Sequence, residues 1–86
     1  MIEAFEYTIQ DPVGLHARPA GLLVRKAQEF PSDITLTCKG KSANLKKLLA
    51  VMGLGVRQGD TVTVTVEGEN ARAHADALRA FFQETV

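Results

Sequence analysis

Residues 61–66 read Thr-Val-Thr-Val-Thr-Val, a strict alternation of hydroxyl and apolar side chains. Successive side chains of a strand point to opposite faces, so this segment is a strand with one face to bury and one left wet. Strands of parallel sheets are covered on both sides and read as unbroken apolar runs; one-faced strands belong to antiparallel sheets. Gly59-Asp60 and Gly68 bound the segment as turns. The same period recurs upstream. Phe5, Tyr7 and Ile9 alternate with Glu6 and Thr8, and Ile34, Leu36 and Cys38 alternate with Thr35, Thr37 and Lys39. Gly40 turns the chain, and a short strand to about Ala43 is expected after it.

Between these strands the period becomes helical. Ala20, Leu23, Val24, Ala27 and Phe30 share one face, with Pro19 in the first turn, where proline is tolerated. Asp11-Pro12 and Gly14 separate this helix from the first strand, and Pro31-Ser32-Asp33 closes it. Asn44 or a near neighbour is expected to cap a short helix running through Leu54, ended by Gly53 and Gly55. Asn70 is the expected N-cap of a last helix carrying Ala71, Ala75, Leu78 and Phe82 on one face. The order β-α-β-β-α-β-α predicts an α+β fold, an open-faced sandwich of four antiparallel strands with three helices packed on one face.

With 86 residues, one domain spanning 1–86 is expected. A chain of this size buries about 60–70% of its unfolded surface, enough for one core but not for an enclosed active-site cavity. Lys plus Arg total 10 and Asp plus Glu total 10, for a net charge of zero. That balance argues against a nucleic-acid binder. Arg18, Arg25, Lys26, Lys39, Lys41, Lys46 and Lys47 nevertheless fall within one window. Gathered on one face they select an acidic partner; scattered, they are a solvated surface. One cysteine, Cys38, excludes an intrachain disulfide and speaks against a zinc cluster. On the apolar side of its strand it reads as core. The start, MIEAFEYTIQ, lacks the pattern of a signal peptide, and no stretch approaches the roughly 20 apolar residues of a membrane span. A cytoplasmic protein without membrane insertion is the expectation.

The segment Gly14-Leu15-His16-Ala17-Arg18-Pro19-Ala20 holds the strongest candidate site. It lies at a strand-to-helix junction, with His16 at or just before the first helical residue. The first N–H groups of a helix lack internal partners and, with the helix dipole, form an anion site. The positive helix end disfavours an imidazolium, which favours a neutral, nucleophilic ring. A phosphoryl group on His16 would meet the N–H groups of Ala17 and Arg18, and the Arg18 guanidinium would add charge-assisted bonds. The bland alternative makes His16 a capping residue and Arg18 a solvated side chain.

That segment resembles the active-site signature of the HPr family, the histidine-containing phosphocarriers of the bacterial sugar phosphotransferase system. A second block, Gly40-Lys41-Ser42-Ala43-Asn44-Leu45-Lys46, then Val51-Met52-Gly53-Leu54-Gly55-Val56 and Gly59-Asp60, is similar to the family's second half. Length and element order match as well. The resemblance implies an open-faced β-sandwich with four antiparallel strands and three helices. It implies a histidine phosphorylated at Nδ1 by phosphorylated Enzyme I, which hands the group to sugar-specific Enzyme IIA proteins. His16 takes the acceptor's place and Arg18 that of the phosphate-stabilising arginine. The carrier would be a stoichiometric intermediate, not an enzyme, with no metal or organic cofactor, and is expected to act as a monomer.

Leu45, Leu48, Leu49, Val51, Met52 and Leu54 give the short helix region more apolar positions than one buried stripe requires. By resemblance, Leu48, Leu49 and Met52 form an exposed face that meets partners, with Arg25 and Lys47 as charges beside it. The alternative is that all six are core. In most members a serine opens this helix and can be phosphorylated by a regulatory kinase. Lys47 stands there instead, which removes the hydroxyl, and Ser42 is out of register. A regulatory binding module and a nitrogen-linked phosphotransfer paralogue remain alternatives. Gly40-Lys41-Ser42 is not a phosphate loop, because Thr35 occupies the position of the required first glycine. His74 reads as a surface residue, and Asp60 and Glu67 as turn and strand-end residues without an evident partner.

Overall fold

The computed structural model describes residues 1–86. In chain order the elements are β1 (Ile2–Thr8), α1 (Ala17–Gln28), β2 (Asp33–Cys38), β3 (Lys41–Asn44), α2 (Leu48–Met52), β4 (Thr61–Glu67) and α3 (Ala71–Thr85). The strands form one antiparallel sheet in the order β1-β4-β2-β3. The alternating segment is therefore a central strand. Val64 lies opposite Phe5 on one side and Leu36 on the other, and Val66 lies opposite Ile34. Val62, Val64 and Val66 are fully buried, and Thr61, Thr63 and Thr65 face outward.

Helices α1 and α3 cover the apolar face. Ala20, Leu23 and Ala27 from α1 meet Ala71, Leu78 and Phe82 from α3 in one core with the strand valines. Phe82 sits edge-on to Phe5 at 5.8 Å and to Tyr7 at 5.7 Å, the geometry aromatic quadrupoles prefer. The helix α2 packs beside α1 and against β3.

Several details depart from the sequence pattern. Asn44 does not cap α2; it ends β3, paired with Thr35, and its Oδ1 accepts the Lys46 N–H at 2.9 Å. Sheet pairing holds Asn44 extended, so the helix begins only after Lys47 and is five residues long. Asn70 does precede α3, but its side chain makes no capping hydrogen bond. His74 is not a free surface residue. Its ring stacks on Phe30 at 4.5 Å, and its Nδ1 lies 2.7 Å from the hydroxyl of the buried Ser32 in a hydrogen bond. Lys39 and Gly40 both take positive φ, 52° and 79°, as a two-residue hairpin turn demands. Cys38 is buried, and burial pushes its thiol pKa up, which leaves it inert.

Asp60 has the partners that its sequence position did not reveal. It accepts the Arg57 N–H at 2.9 Å and pairs with Lys39 Nζ at 3.1 Å. The Arg57 N–H first, and then Lys39, hold its carboxyl below the usual value. A depressed folded-state pKa contributes stability that is present above the unfolded pKa and is lost as pH falls through the folded one. Asp60→Asn should therefore be less stable than the parent at neutral pH. The gap should close as pH drops below about 4, the ordinary carboxylate range. Denaturant midpoints measured against pH check this; a gap that stays constant down to acid would refute it.

Candidate functional site

The loop from β1 to α1 is fixed by backbone hydrogen bonds on three sides. Gln10 and Asp11 donate their N–H groups to the Val86 carbonyl at 2.7 and 2.9 Å. The Gly14 N–H donates back to the Asp11 carbonyl at 2.9 Å, and the Leu15 N–H to the Val56 carbonyl at 3.0 Å. Gly14 has φ 75° and lies so close to the Val56–Arg57 backbone that a Cβ would fall 2.7 Å from Val56 O. Only glycine fits both conditions. Leu15 is buried behind the loop, which turns the next side chain, His16, toward solvent.

His16 is the N-cap residue of α1, extended at φ −87° and ψ 179°, and its side chain makes no capping hydrogen bond. The ring is 39% exposed, enough for a macromolecular donor to reach it. The Ala20 N–H already donates to the His16 carbonyl at 3.0 Å, and Pro19 has no N–H. The unpaired donors of the first turn are thus those of Ala17 and Arg18. Arg18 is exposed and forms no ion pair, since the ion pairs of the chain involve His16, Lys26, Lys39 and Arg79. His16, Arg18, Pro19 and Leu22 line one open depression of about 370 Å³ with Asp11, Glu84 and Thr85.

Two acidic residues in that depression carry no sequence signal comparable to the histidine's. Asp11 reads as a strand breaker, yet its Oδ2 lies 3.5 Å from His16 Nε2 and its Oδ1 accepts the Val13 N–H at 2.9 Å. Glu84 is brought in by the last turn of α3. The detectable hint was Asp11's place five residues before His16, in a loop that Gly14 folds back. Leu22, exposed and off the buried stripe of α1, is a third addition.

The short helix region divides its apolar residues cleanly. Leu45 and Val51 are fully buried and Leu54 is half-buried, whereas Leu48, Leu49 and Met52 are exposed, Leu49 at 84%. Arg25 and Lys47 are exposed and unpaired. Lys26, Lys39 and Lys46 are engaged within the chain, with Glu29, Asp60 and the Phe30 carbonyl. The Lys46 contact, with Gln28 Nε2 donating to the Lys46 carbonyl, ties the lead into α2 to the end of α1.

The family model described as the PTS HPr component phosphorylation site matches residues 4–84. The chain belongs to the HPr family. Phosphocarrier protein HPr of Lysinibacillus sphaericus is 46% identical over 79 residues, covering 92% of this chain and 90% of that one. A histidine-containing phosphocarrier protein of Mycoplasma superposes with a TM-score of 0.93 at 35% identity, over 96% of this chain and 94% of that one. Crh of Bacillus subtilis, described as a catabolite repression HPr and solved as a swapped dimer, superposes at 0.76 with 38% identity, over 93% and 92%. HPr proteins are phosphocarriers of the phosphotransferase system, so phosphohistidine chemistry and sugar transport are the setting of this family. The four-stranded antiparallel sheet with three helices is the HPr fold, in agreement with the order of periodicities along the chain.

Proposed function

We propose that the chain accepts a phosphoryl group on His16 Nδ1 from phosphorylated Enzyme I and passes it to sugar-specific Enzyme IIA proteins. The observation that carries this reading is the exposed His16 ring at the start of α1, beside an unpaired guanidinium and two unpaired N–H groups. In the transfer the Nδ1 lone pair forms the new N–P bond while the donor's N–P bond breaks and returns its electron pair to the donor ring. Proton transfer is not needed, so positioning and electrostatics supply the catalysis. The Ala17 and Arg18 N–H groups and the Arg18 side chain receive the phosphoryl oxygens. An open depression suits in-line passage between two proteins. The chain is a stoichiometric carrier and not an enzyme that turns over a small substrate.

Leu48, Leu49 and Met52 form the docking face, with Arg25 and Lys47 as basic rim for an acidic partner. The exposure of these residues and their free charges support that assignment. The carrier acts as one domain, a monomer in the cytoplasm; no helix is long and apolar enough to cross a membrane. The structural likeness to Crh favours one second reading, a regulatory module that uses the same face without phosphotransfer. A nitrogen-linked paralogue shares the chemistry of the first reading and differs only in partners.

Incubation with phosphoenolpyruvate and Enzyme I tests the proposal. An acid-labile, base-stable phosphate on the chain is expected, and its absence overturns the carrier reading in favour of the regulatory one. Arg18→Ala should fold normally, since Arg18 is exposed and unpaired, with stability within about 0.5 kcal/mol of the parent. Loss of one charge-assisted contact to phosphate should slow transfer about tenfold or more. Unchanged transfer rates would remove the assigned role.

A further inference from the structure

The His16 ring has two nitrogens, and only one can carry the attacking lone pair in a neutral imidazole. The structure separates them. Nε2 lies 3.5 Å from Asp11 Oδ2, an ion-pair distance without a formed hydrogen bond, and an ionised carboxylate there can accept a bond from a ring N–H but never donate one. Asp11 is itself held by the loop: its N–H is bound to the Val86 carbonyl, its carbonyl accepts the Gly14 N–H, and its Oδ1 accepts the Val13 N–H. Three of its polar groups are thus committed to loop geometry, and the fourth, Oδ2, faces the ring. Contacts of this kind are often long in the resting protein and tighten when charge develops.

We propose that Asp11 is a positioning residue that keeps the His16 proton on Nε2 and so presents Nδ1 as the nucleophile. The proposal deepens the phosphocarrier reading and rests on it for its purpose, though not for its test. A carboxylate beside one ring nitrogen fixes tautomer and ring orientation together, as it does for histidines that bind metals or serve as bases. Its contribution grows during transfer. When Nδ1 gains phosphorus, the ring retains its Nε2 proton and becomes cationic, and the cation faces Asp11. The other charges lining the depression, Glu84 and Arg18, have no ion pair with the ring. The selection between the two nitrogens therefore falls to Asp11.

Asp11→Asn is the discriminating variant. Its side-chain oxygen can still accept the Val13 N–H, which preserves the turn, while its NH2 group faces Nε2. An amide donor there favours a lone pair on Nε2 and a proton on Nδ1. In ¹⁵N-detected spectra at a pH where the ring is neutral, the parent should show a protonated Nε2 and an unprotonated Nδ1. In Asp11→Asn the Nε2-H to Nδ1-H ratio should fall about tenfold. Asp11→Ala, which removes the director without reversing it, should fall between the two. Phosphoryl acceptance in Asp11→Asn should drop in proportion to the fraction of ring that keeps its lone pair on Nδ1, about twofold where the ratio falls from about ten to about one. His16 nitrogen shifts that match the parent's in Asp11→Asn, with backbone amide shifts of the loop unchanged, would overturn the assignment. Because the spectra are read without Enzyme I, a parent chain that fails to accept phosphate would sink the carrier reading and still leave the tautomer result interpretable.

Discussion

The His16→Ala chain should fold as the parent does and take up no phosphoryl group from Enzyme I. The two halves of this result have separate causes. The side chain makes no capping hydrogen bond and is substantially exposed, so truncation removes only its contact with Asp11. A surface change of this kind alters stability by roughly 0.5 kcal/mol or less. The proposed chemistry, in contrast, loses its acceptor: Arg18 and the two N–H groups can hold a phosphate but cannot form a bond to it. Thermal melts and circular dichroism would establish the fold, and phosphate incorporation measured beside the parent would establish the loss. A labelled His16→Ala chain would place the acceptor elsewhere.

Gly14→Ala should have the largest effect on stability. The left-handed conformation at φ 75° costs a residue with a Cβ roughly 1–2 kcal/mol. The added carbon would also fall 2.7 Å from the Val56 oxygen and 2.8 Å from Arg57 Cα, both backbone atoms that cannot swing aside. Relieving such overpacking typically costs about 1–3 kcal/mol. Together they predict a loss of about 2–5 kcal/mol, and a melting temperature lower by on the order of 10 °C or more. Gly21→Ala is the matched control. That residue lies inside α1, where a Cβ meets nothing within 4 Å, and alanine should stabilise the helix by about 0.5–1 kcal/mol. Should both variants melt within about 1 kcal/mol of the parent, the tight approach of Gly14 to the Val56–Arg57 backbone is not a real constraint.

Those two glycines also show what the sequence could and could not disclose. The order of elements was legible because each buried face repeats at its own period, two along β4 and near 3.6 along α1 and α3. The boundary of α2 was not, because Asn44 is as good a cap as any until sheet pairing with Thr35 claims its backbone. A local propensity lost to a long-range partner at Asn44, whereas Asn70 does stand at the start of α3 without a side-chain capping bond. The candidate site divides the same way. Gly14, His16, Ala17 and Arg18 are contiguous, and helix-start physics applies to them directly. Asp11 and Glu84 reach the same depression only through the fold: Asp11 through a loop pinned to the Val86 carbonyl, Glu84 through the last turn of α3. Whether Leu48, Leu49 and Met52 were inside or outside could not be settled by spacing. Six apolar residues in ten fit either answer, and only the positions of α1 and β3 decide which three are covered.

Pro19 has a consequence for how long a phosphate stays. A phosphoryl group presents three terminal oxygens, and an ordinary helix start would offer a third main-chain donor at this position. The pyrrolidine ring withholds it. In the proposed phosphorylated state one oxygen would then be left to the exposed Arg18 side chain and to water, in an incomplete cradle. A third main-chain donor would hold such a group more firmly and so release it less readily.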